Sequence, residues 1–331
     1  MTDATTTPSD PTQPDTLAGA RRTLAKRLLL PTQLLLVFIV AFPLLMQLYI
    51  STTWWTPLDG EPWYMAWRSF AWFDNYTYML EDDGLHGAIW RTVLFVAIAV
   101  PIEFALGLAL AALFYEGVAG RPVLYSLILM PMMIVPAVAG YIFYLIFQQT
   151  GPFNAVLGLF YAGAGDLNWL NDVDRAFVAV IIADVWQWTP LMFLILYAGL
   201  MSVPEDQMRA ATILGANWYQ RFTRIALPRI KAVIAIAIGL RVIECFKIFD
   251  MLFVMTGGGP GVATESLSLF LYKRTFQDLE WSYVAAIGIV VLIVLSVITG
   301  LILARAGRKP VEDALEETLI DVEHAAEGRA G

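Results

Sequence analysis

The residues of this chain that could do chemistry sit where ionisable groups are costly. Arg241, Glu244, Lys247 and Asp250 recur at every third position, with alternating sign, inside an apolar run. In another such run Asp184, Trp186, Gln187, Trp188 and Thr189 stand just before Pro190. Charge at membrane depth marks a solute or ion pathway by default. Neighbours three apart can pair along a helix. Each step of three falls about 60° short of a full turn, so Arg241 and Asp250 end on opposite faces and the four cannot all line one pathway. At about 1.5 Å per residue, Trp188 lies about 18 Å from one end of its run and Glu244 about 20 Å from the opposite end, so both are near mid-depth. Aromatic faces beside hydrogen-bonding groups there suit the apolar faces and hydroxyls of a sugar. The competing reading is that the aromatics pack in a bundle while the charges neutralise one another. For Trp186, Gln187 and Trp188 both readings stand open; Glu244 and Lys247 read rather as a structural pair. Glu103, in a third run, is expected to bond to a neighbouring helix.

No other reactive residues assemble into a catalytic or metal-binding group. Cys245 is the sole cysteine and falls inside an apolar run, which rules out an internal disulfide and a cysteine zinc cluster. His86 and His324 stand far apart, without metal-ligand spacing. The glycine cluster TGGGPG at 256–261 lacks the lysine and hydroxyl that follow a phosphate-binding loop: Val262 and Ala263 come next, and the following lysine is Lys273. It reads as a flexible turn. No catalytic residue, metal or cofactor is expected on this chain, and any ATP chemistry would have to come from another.

The elements that hold these residues follow from composition. Of 331 residues, 58% are hydrophobic and 15% charged, with a mean hydropathy of +0.64; a soluble domain carries roughly 25% charge. Runs of about 20 apolar residues cross a bilayer as helices. Six spans are predicted, over 28–50, 88–114, 123–147, 176–200, 231–254 and 281–304. The expected fold is an all-α polytopic membrane protein, with the lipid bilayer as partner and no nucleic acid. Loop lysines and arginines set the orientation. A cytoplasmic N-terminus places Arg21, Arg22, Lys26, Arg27, Arg121, Arg209, Arg221, Arg224, Arg229, Lys231, Arg305, Arg308, Lys309 and Arg329 inside, against Arg68, Arg91, Arg175, Lys273 and Arg274 outside. Both termini are then cytoplasmic. Residues 1–27 read as a mostly disordered tail, 28–304 as the transmembrane domain with a long cytoplasmic loop at 201–230, and 305–331 as a solvated acidic tail. Trp54, Trp55, Trp63, Trp67 and Trp72 read as an aromatic belt along the outer surface.

The long inner loop, SVPEDQMRAATILGANWYQRFTRIALPRIKAV, has its own pattern. Ser202 and Glu205 have capping-box spacing, and Glu205 with Asp206 complements a positive helix end, so a helix is predicted from here to about Leu214. Gly215 stops it, and a second short helix begins near Asn217. A helix of about ten residues is marginal alone in water, so it must dock. Met208, Ala211 and Thr212 offer one face, and the small residues Ala210, Ala211, Gly215 and Ala216 permit close approach. The segment is either a docking element for a cytoplasmic partner or a plain surface turn whose arginines serve orientation.

The string Ala210-Ala211-x-x-x-Gly215-Ala216, followed by Phe222, Ile225, Leu227 and Pro228, resembles the EAA motif of bacterial ABC importer permeases. Within them it is most similar to the carbohydrate-uptake permeases related to the maltose system. FDNYTYML at 73–80, VWQWTPLMFLILYAGLMSVPED at 185–206 and FDMLFVMTGGGPGVATESLSLFLY at 249–272 agree, and the resemblance covers about residues 28 to 304. The chain departs from the motif at Arg209, where the leading Glu is expected, at Leu214, where Asp is expected, and at Ala232, where Pro is expected.

The resemblance implies a type I ABC importer permease fold in the bacterial cytoplasmic membrane. It implies that Glu205, Arg209, Ala210, Ala211, Gly215, Ala216 and Phe222 form a coupling helix seated on an ATPase. The implied partners are a second homologous permease, two copies of a cytoplasmic ATPase that binds ATP and Mg, and an extracytoplasmic solute-binding protein. The solute pathway would then include Asp184, Trp186, Gln187, Trp188, Glu244, Lys247 and Asp250. The alternative from another class is an ion-gradient-driven secondary transporter using Asp184, Glu244 and Asp250 as ion sites.

Overall fold

A computed structural model of the chain describes residues 13–301 except 161, 162, 164 and 166, together with residue 304. The expectations for residues 1–12 and for the acidic tail lie outside the described residues. The described residues are helical, with one isolated antiparallel bridge between Thr53 and Phe70. In chain order the helices are α1 (Gln13–Ser51), α2 (Asp74–Tyr78), α3 (Asp83–Glu116), α4 (Arg121–Leu129), α5 (Pro136–Ile146), α6 (Pro152–Leu157) and α7 (Val173–Met201). There follow α8 (Glu205–Ile213), α9 (Trp218–Arg221), α10 (Leu227–Arg229), α11 (Lys231–Phe246), α12 (Asp250–Met255), α13 (Leu267–Phe276) and α14 (Trp281–Leu301). The helix α1 begins at Gln13, so residues 13–27, expected as part of a disordered tail, are helical.

Among the described residues, four segments are continuous helices long and apolar enough to span a bilayer: Leu29–Ser51 of α1, α3, α7 and α14. The other two predicted spans are broken. The run 123–147 divides into α4, a 3-10 turn at Pro131–Met133, and α5. Pro131 and Pro136 explain this: each lacks an N–H, and Pro136 holds its predecessor Val135 in an extended conformation at φ −60°, ψ 134°. The run 231–254 divides at Lys247–Phe249 into α11 and α12 with neither proline nor glycine at the break. Pro190 lies inside an unbroken α7.

The chain forms two compact units. In the first, residues 1–76 and 281–289, Ile50, Trp55 and Ala66 make a small core. Hydroxyl contacts stitch it: Thr53 Oγ1 lies 3.1 Å from Ser282 Oγ, which donates to the Trp55 carbonyl at 2.7 Å. Asn75 Nδ2 donates to the carbonyls of Ser51 and Thr53. Trp55 is buried, whereas Trp54, Trp67 and Trp72 stay exposed.

In the second unit, which contains residues 77–280, α3 and α7 pack along much of their length. Asp82 caps α3, accepting from the N–H of Gly84 and Leu85, and Asp172 caps α7, accepting from that of Arg175. Their facing residues are small: Ala99, Ala111, Ala176, Ala179 and Ala183 are fully buried. Gly107 marks the closest approach, since a Cβ there would stand 2.9 Å from the Phe193 amide nitrogen. Small residues that let backbones meet are the means by which helices associate in lipid, where apolar burial alone drives nothing.

One ionic group ties α3, α7 and α11 together. Arg241 donates from Nε to Glu103 at 2.6 Å and from Nη2 at 2.8 Å, a two-pronged grip, and Nη2 also meets Asp184. All three side chains are at most 2% exposed. Glu103 thus bonds to a neighbouring helix, as its isolation in an apolar run predicts. Fork-to-carboxylate pairing is strong and directional, so the group fixes the rotation of three helices at once.

Two outcomes are expected for purified protein. Gly107→Val should lower stability by about 1–3 kcal/mol through overpacking, seen as a lower thermal midpoint in detergent; an unchanged midpoint would contradict the close α3–α7 approach. Arg241→Met, which strands two buried carboxylates, should cost about 3–5 kcal/mol. Melting of that variant at the parent temperature would show that the ionic group does not hold the helices.

Candidate functional site

The break between α11 and α12 is where the site forms. The last turn of α11 tightens, with the Lys247 N–H reaching the Glu244 carbonyl at 3.1 Å and that of Ile248 reaching Cys245 at 3.2 Å. Phe249 then leaves helical geometry at φ −140°, ψ −63°. Backbone freed at membrane depth needs partners, because no water is there to supply them. Ser266 Oγ donates to the Ile248 carbonyl at 2.8 Å, and Ser268 Oγ to that of Phe246 at 3.2 Å. Ser266 also caps α13, accepting from the Leu269 N–H. An aromatic row of Phe249, Phe253, Tyr272 and Phe276 closes the other side of the bend, each ring about 5 Å from the next contact.

A cavity of about 100 Å³ opens at this bend. Asp184, Gln187 and Trp188 of α7 line it together with Arg241, Glu244, Lys247 and Asp250. All four charges of the three-residue ladder therefore reach one cavity. This corrects the expectation that they cannot share a pathway, which assumed a continuous helix; the bend at Lys247–Phe249 swings Asp250 back to the side of Arg241. Trp186 does not line it. Two residues apart on a helix are about 200° apart in direction, so Trp186 points the other way and packs edge-on against Phe143 of α5, 5.2 Å between centroids.

The lining is chemically mixed. The Arg241 guanidinium lies 5.2 Å from the centre of the Trp188 ring, a cation–π contact that holds the indole beside the cavity. Lys247 Nζ pairs with Glu244 at 2.7 Å, the pair read from the sequence. Gln187, 1% exposed, gives its amide N–H to the Ile134 carbonyl at 2.7 Å. Its Oε1 has no hydrogen-bond partner among the described residues. A buried amide oxygen without a donor carries a desolvation cost of about 1–3 kcal/mol. Of the lining, Pro136, Ile248, Phe249 and Met251 were not foreseen. The serine alternation in SLSLF at 266–270 was the signal that could have exposed the break.

The 201–230 segment forms a second candidate site. Helix α8 runs Glu205–Ile213 as expected, but the Ser202–Glu205 capping box does not form. Pro204 occupies the cap, and Ser202 Oγ donates instead to the Gly199 carbonyl at 2.7 Å, finishing α7. Gly215 ends the segment at φ +82°, a left-handed conformation that suits glycine. Asn217 and Gln220 build a capping box for α9. The chain then passes through a π-helical turn, Phe222–Ala226, into α10.

Arg209 forms an ion pair with Glu205 one turn earlier, both well exposed. Ala210 and Gly215 are exposed, and Ala211 and Ala216 partly so. Phe222 is buried and stacked on Trp218 at 5.1 Å, so it supports the segment from within and does not face a partner. Met208, expected on a docking face, is likewise buried in the main core. The most exposed apolar residues of the segment are Ile213 at 86% and Leu214 at 87%.

The comparisons with known proteins agree with this geometry. Residues 103–310 match the family described as binding-protein-dependent transport system inner membrane component. The chain is 36% identical over 239 residues to the trehalose/maltose transport system permease protein MalF of Thermococcus litoralis, covering 72% of this chain and 78% of that one. It is 34% identical over 275 residues to the trehalose transport system permease protein SugA of Mycobacterium tuberculosis, covering 82% and 85%. Its fold matches a chain of a bacterial alginate ABC transporter, solved with an alginate pentasaccharide-bound periplasmic protein, with a TM-score of 0.73 at 20% identity over 87% of this chain and 96% of that one. The chain belongs to the binding-protein-dependent transport system inner membrane component family, the non-catalytic, multi-pass permease subunits of ABC importers.

Proposed function

We propose that this chain forms one half of the pathway by which an ATP-driven, binding-protein-dependent importer carries a sugar or sugar derivative across the cytoplasmic membrane. The observation that carries this reading is the interrupted α11–α12 helix around a cavity lined by Trp188, the unpartnered Gln187 Oε1 and paired charges. Discontinuous helices at mid-membrane are how transporters build solute sites. The names of the trehalose and maltose permeases among its relatives support the solute class. A cavity of about 100 Å³ is well below the roughly 300–1,000 Å³ of a complete ligand site. A second, homologous permease would supply the rest.

The α8 segment would be the foot that couples this half to a separate ATPase, present in two copies and holding ATP and Mg. The exposed Ile213 and Leu214 would seat in the ATPase while Met208 and Phe222 tie α8 and the turn after α9 into the core. From Phe222 the chain runs directly through the π-helical turn and α10 into α11, whose far end borders the cavity. Closure of the ATPases on ATP would move α8, and the displacement would reach the cavity along α11. A binding protein would deliver the solute on the opposite side, with both termini of this chain cytoplasmic. An ion-driven mechanism would use Asp184, Glu244 and Asp250, but Asp184 is held by Arg241 and Glu244 by Lys247.

The coupling reading is tested in the assembled importer reconstituted in liposomes. A Cβ at Gly215 would meet no atom within 4 Å, and Asp is among the few residues that tolerate its φ of +82°. Gly215→Asp and the pair Ile213→Ala/Leu214→Ala should therefore leave thermal melting within about 1 kcal/mol of the parent. Each should cut solute-stimulated ATP hydrolysis by about tenfold or more, the equivalent of losing about 1.4 kcal/mol of coupling. Parent-level stimulated hydrolysis in both variants would remove α8 from the coupling role.

A further inference from the structure

The charges around the cavity do not cancel. Arg241 is gripped on two of its nitrogens by Glu103, from behind the lining, and on one of them by Asp184, from within it. Lys247 is matched by Glu244. Asp250 has no cation of its own among the described residues; it begins α12 and borders the cavity. The balance is two cations, Arg241 and Lys247, against four carboxylates, Glu103, Asp184, Glu244 and Asp250. One proton held between Glu103 and Asp184 would still leave an excess negative charge. Salt screens such a charge weakly in a partly buried site.

Gln187, in the same lining, holds its Nε2 on the Ile134 carbonyl and leaves Oε1 a buried acceptor without a partner among the described residues. It asks for a donor, which a hydroxyl or an ammonium has and a carboxylate, phosphate or sulfonate lacks. Of the two cations in the lining, Arg241 is already spent on two carboxylates and covered on one face by Trp188, and Lys247 is paired with Glu244.

We infer that this chain's half of the site discriminates by charge: it accepts polyhydroxylated solutes that are neutral or carry an amino group, and it rejects acidic ones. The inference rests on the reading of the cavity as a sugar site, and Asp184, Asp250 and Gln187 are the residues that set the preference.

The test uses the complete importer in detergent without its binding protein, so that delivery does not contribute to the selection. Saturation-transfer NMR titrations with trehalose, maltose and glucosamine are compared with trehalose 6-phosphate and glucuronate. The neutral and amino-bearing probes should bind at least about tenfold more tightly than the acidic ones. Asp250→Asn should narrow that gap, and Gln187→Leu should weaken the hydroxylated probes without favouring the acids. Acidic probes that bind as tightly as the neutral ones, or more tightly, would overturn the charge discrimination while leaving the sugar reading in place. Absence of binding by every probe, in a complex that still hydrolyses ATP, would overturn both.

Discussion

Everything around the cavity depends on the placement of one guanidinium. Arg241 lies between Glu103 and Asp184 with its charge removed from solvent, and the three residues come from three different helices. Burying such a group is a poor way to gain stability, since the cost of desolvating the ions can exceed their attraction. It is an effective way to forbid alternatives. A rotation of α3, α7 or α11 by one residue would swing a charge about 100° away from its partners. The small-residue contact at Gly107 sets the distance between α3 and α7, and the ionic group sets their rotation.

That fixed frame makes the interruption of the neighbouring helix possible. Beyond Arg241 the fifth run gives up its regular hydrogen bonds at Lys247–Phe249, and serine hydroxyls take the places of the missing amides. The bend brings Asp250 round toward Arg241, and it opens the space that Trp188 and Gln187 border. Rigid packing on one side and replaceable hydroxyl bonds on the other leave the cavity beside the part of the bundle best able to change its path.

Much of this was legible in the sequence, and the failures share a cause. The all-α character, four continuous spans, the α8 helix with its Gly215 stop, the start of α9 at Asn217, and the Glu244–Lys247 pair follow from local pattern. The charged and polar residues around the cavity and Trp188 were also singled out, whereas helical rotation turns Trp186 away. What sequence reasoning missed was non-local. Hydropathy joined 123–147 across Pro131 and Pro136, although prolines warned of a break. It joined 231–254 across a break with no warning in the run itself, because the serines that permit it stand at the start of α13. Ser202 had capping-box spacing but found a better acceptor in the end of α7. Phe222 matched a motif, while its burial depended on Trp218 and the core behind it.

The serines that complete the bend lie 18 and 22 residues after the carbonyls they serve. Order of synthesis gives that distance a meaning. A chain inserted from its N-terminus reaches 231–254 before Ser266 and Ser268 have left the ribosome, and at that moment a straight helix is the arrangement that satisfies its own backbone. The angled form becomes accessible once the following segment has folded back against it. The cavity at the bend thus takes its final form only after those two hydroxyl groups arrive.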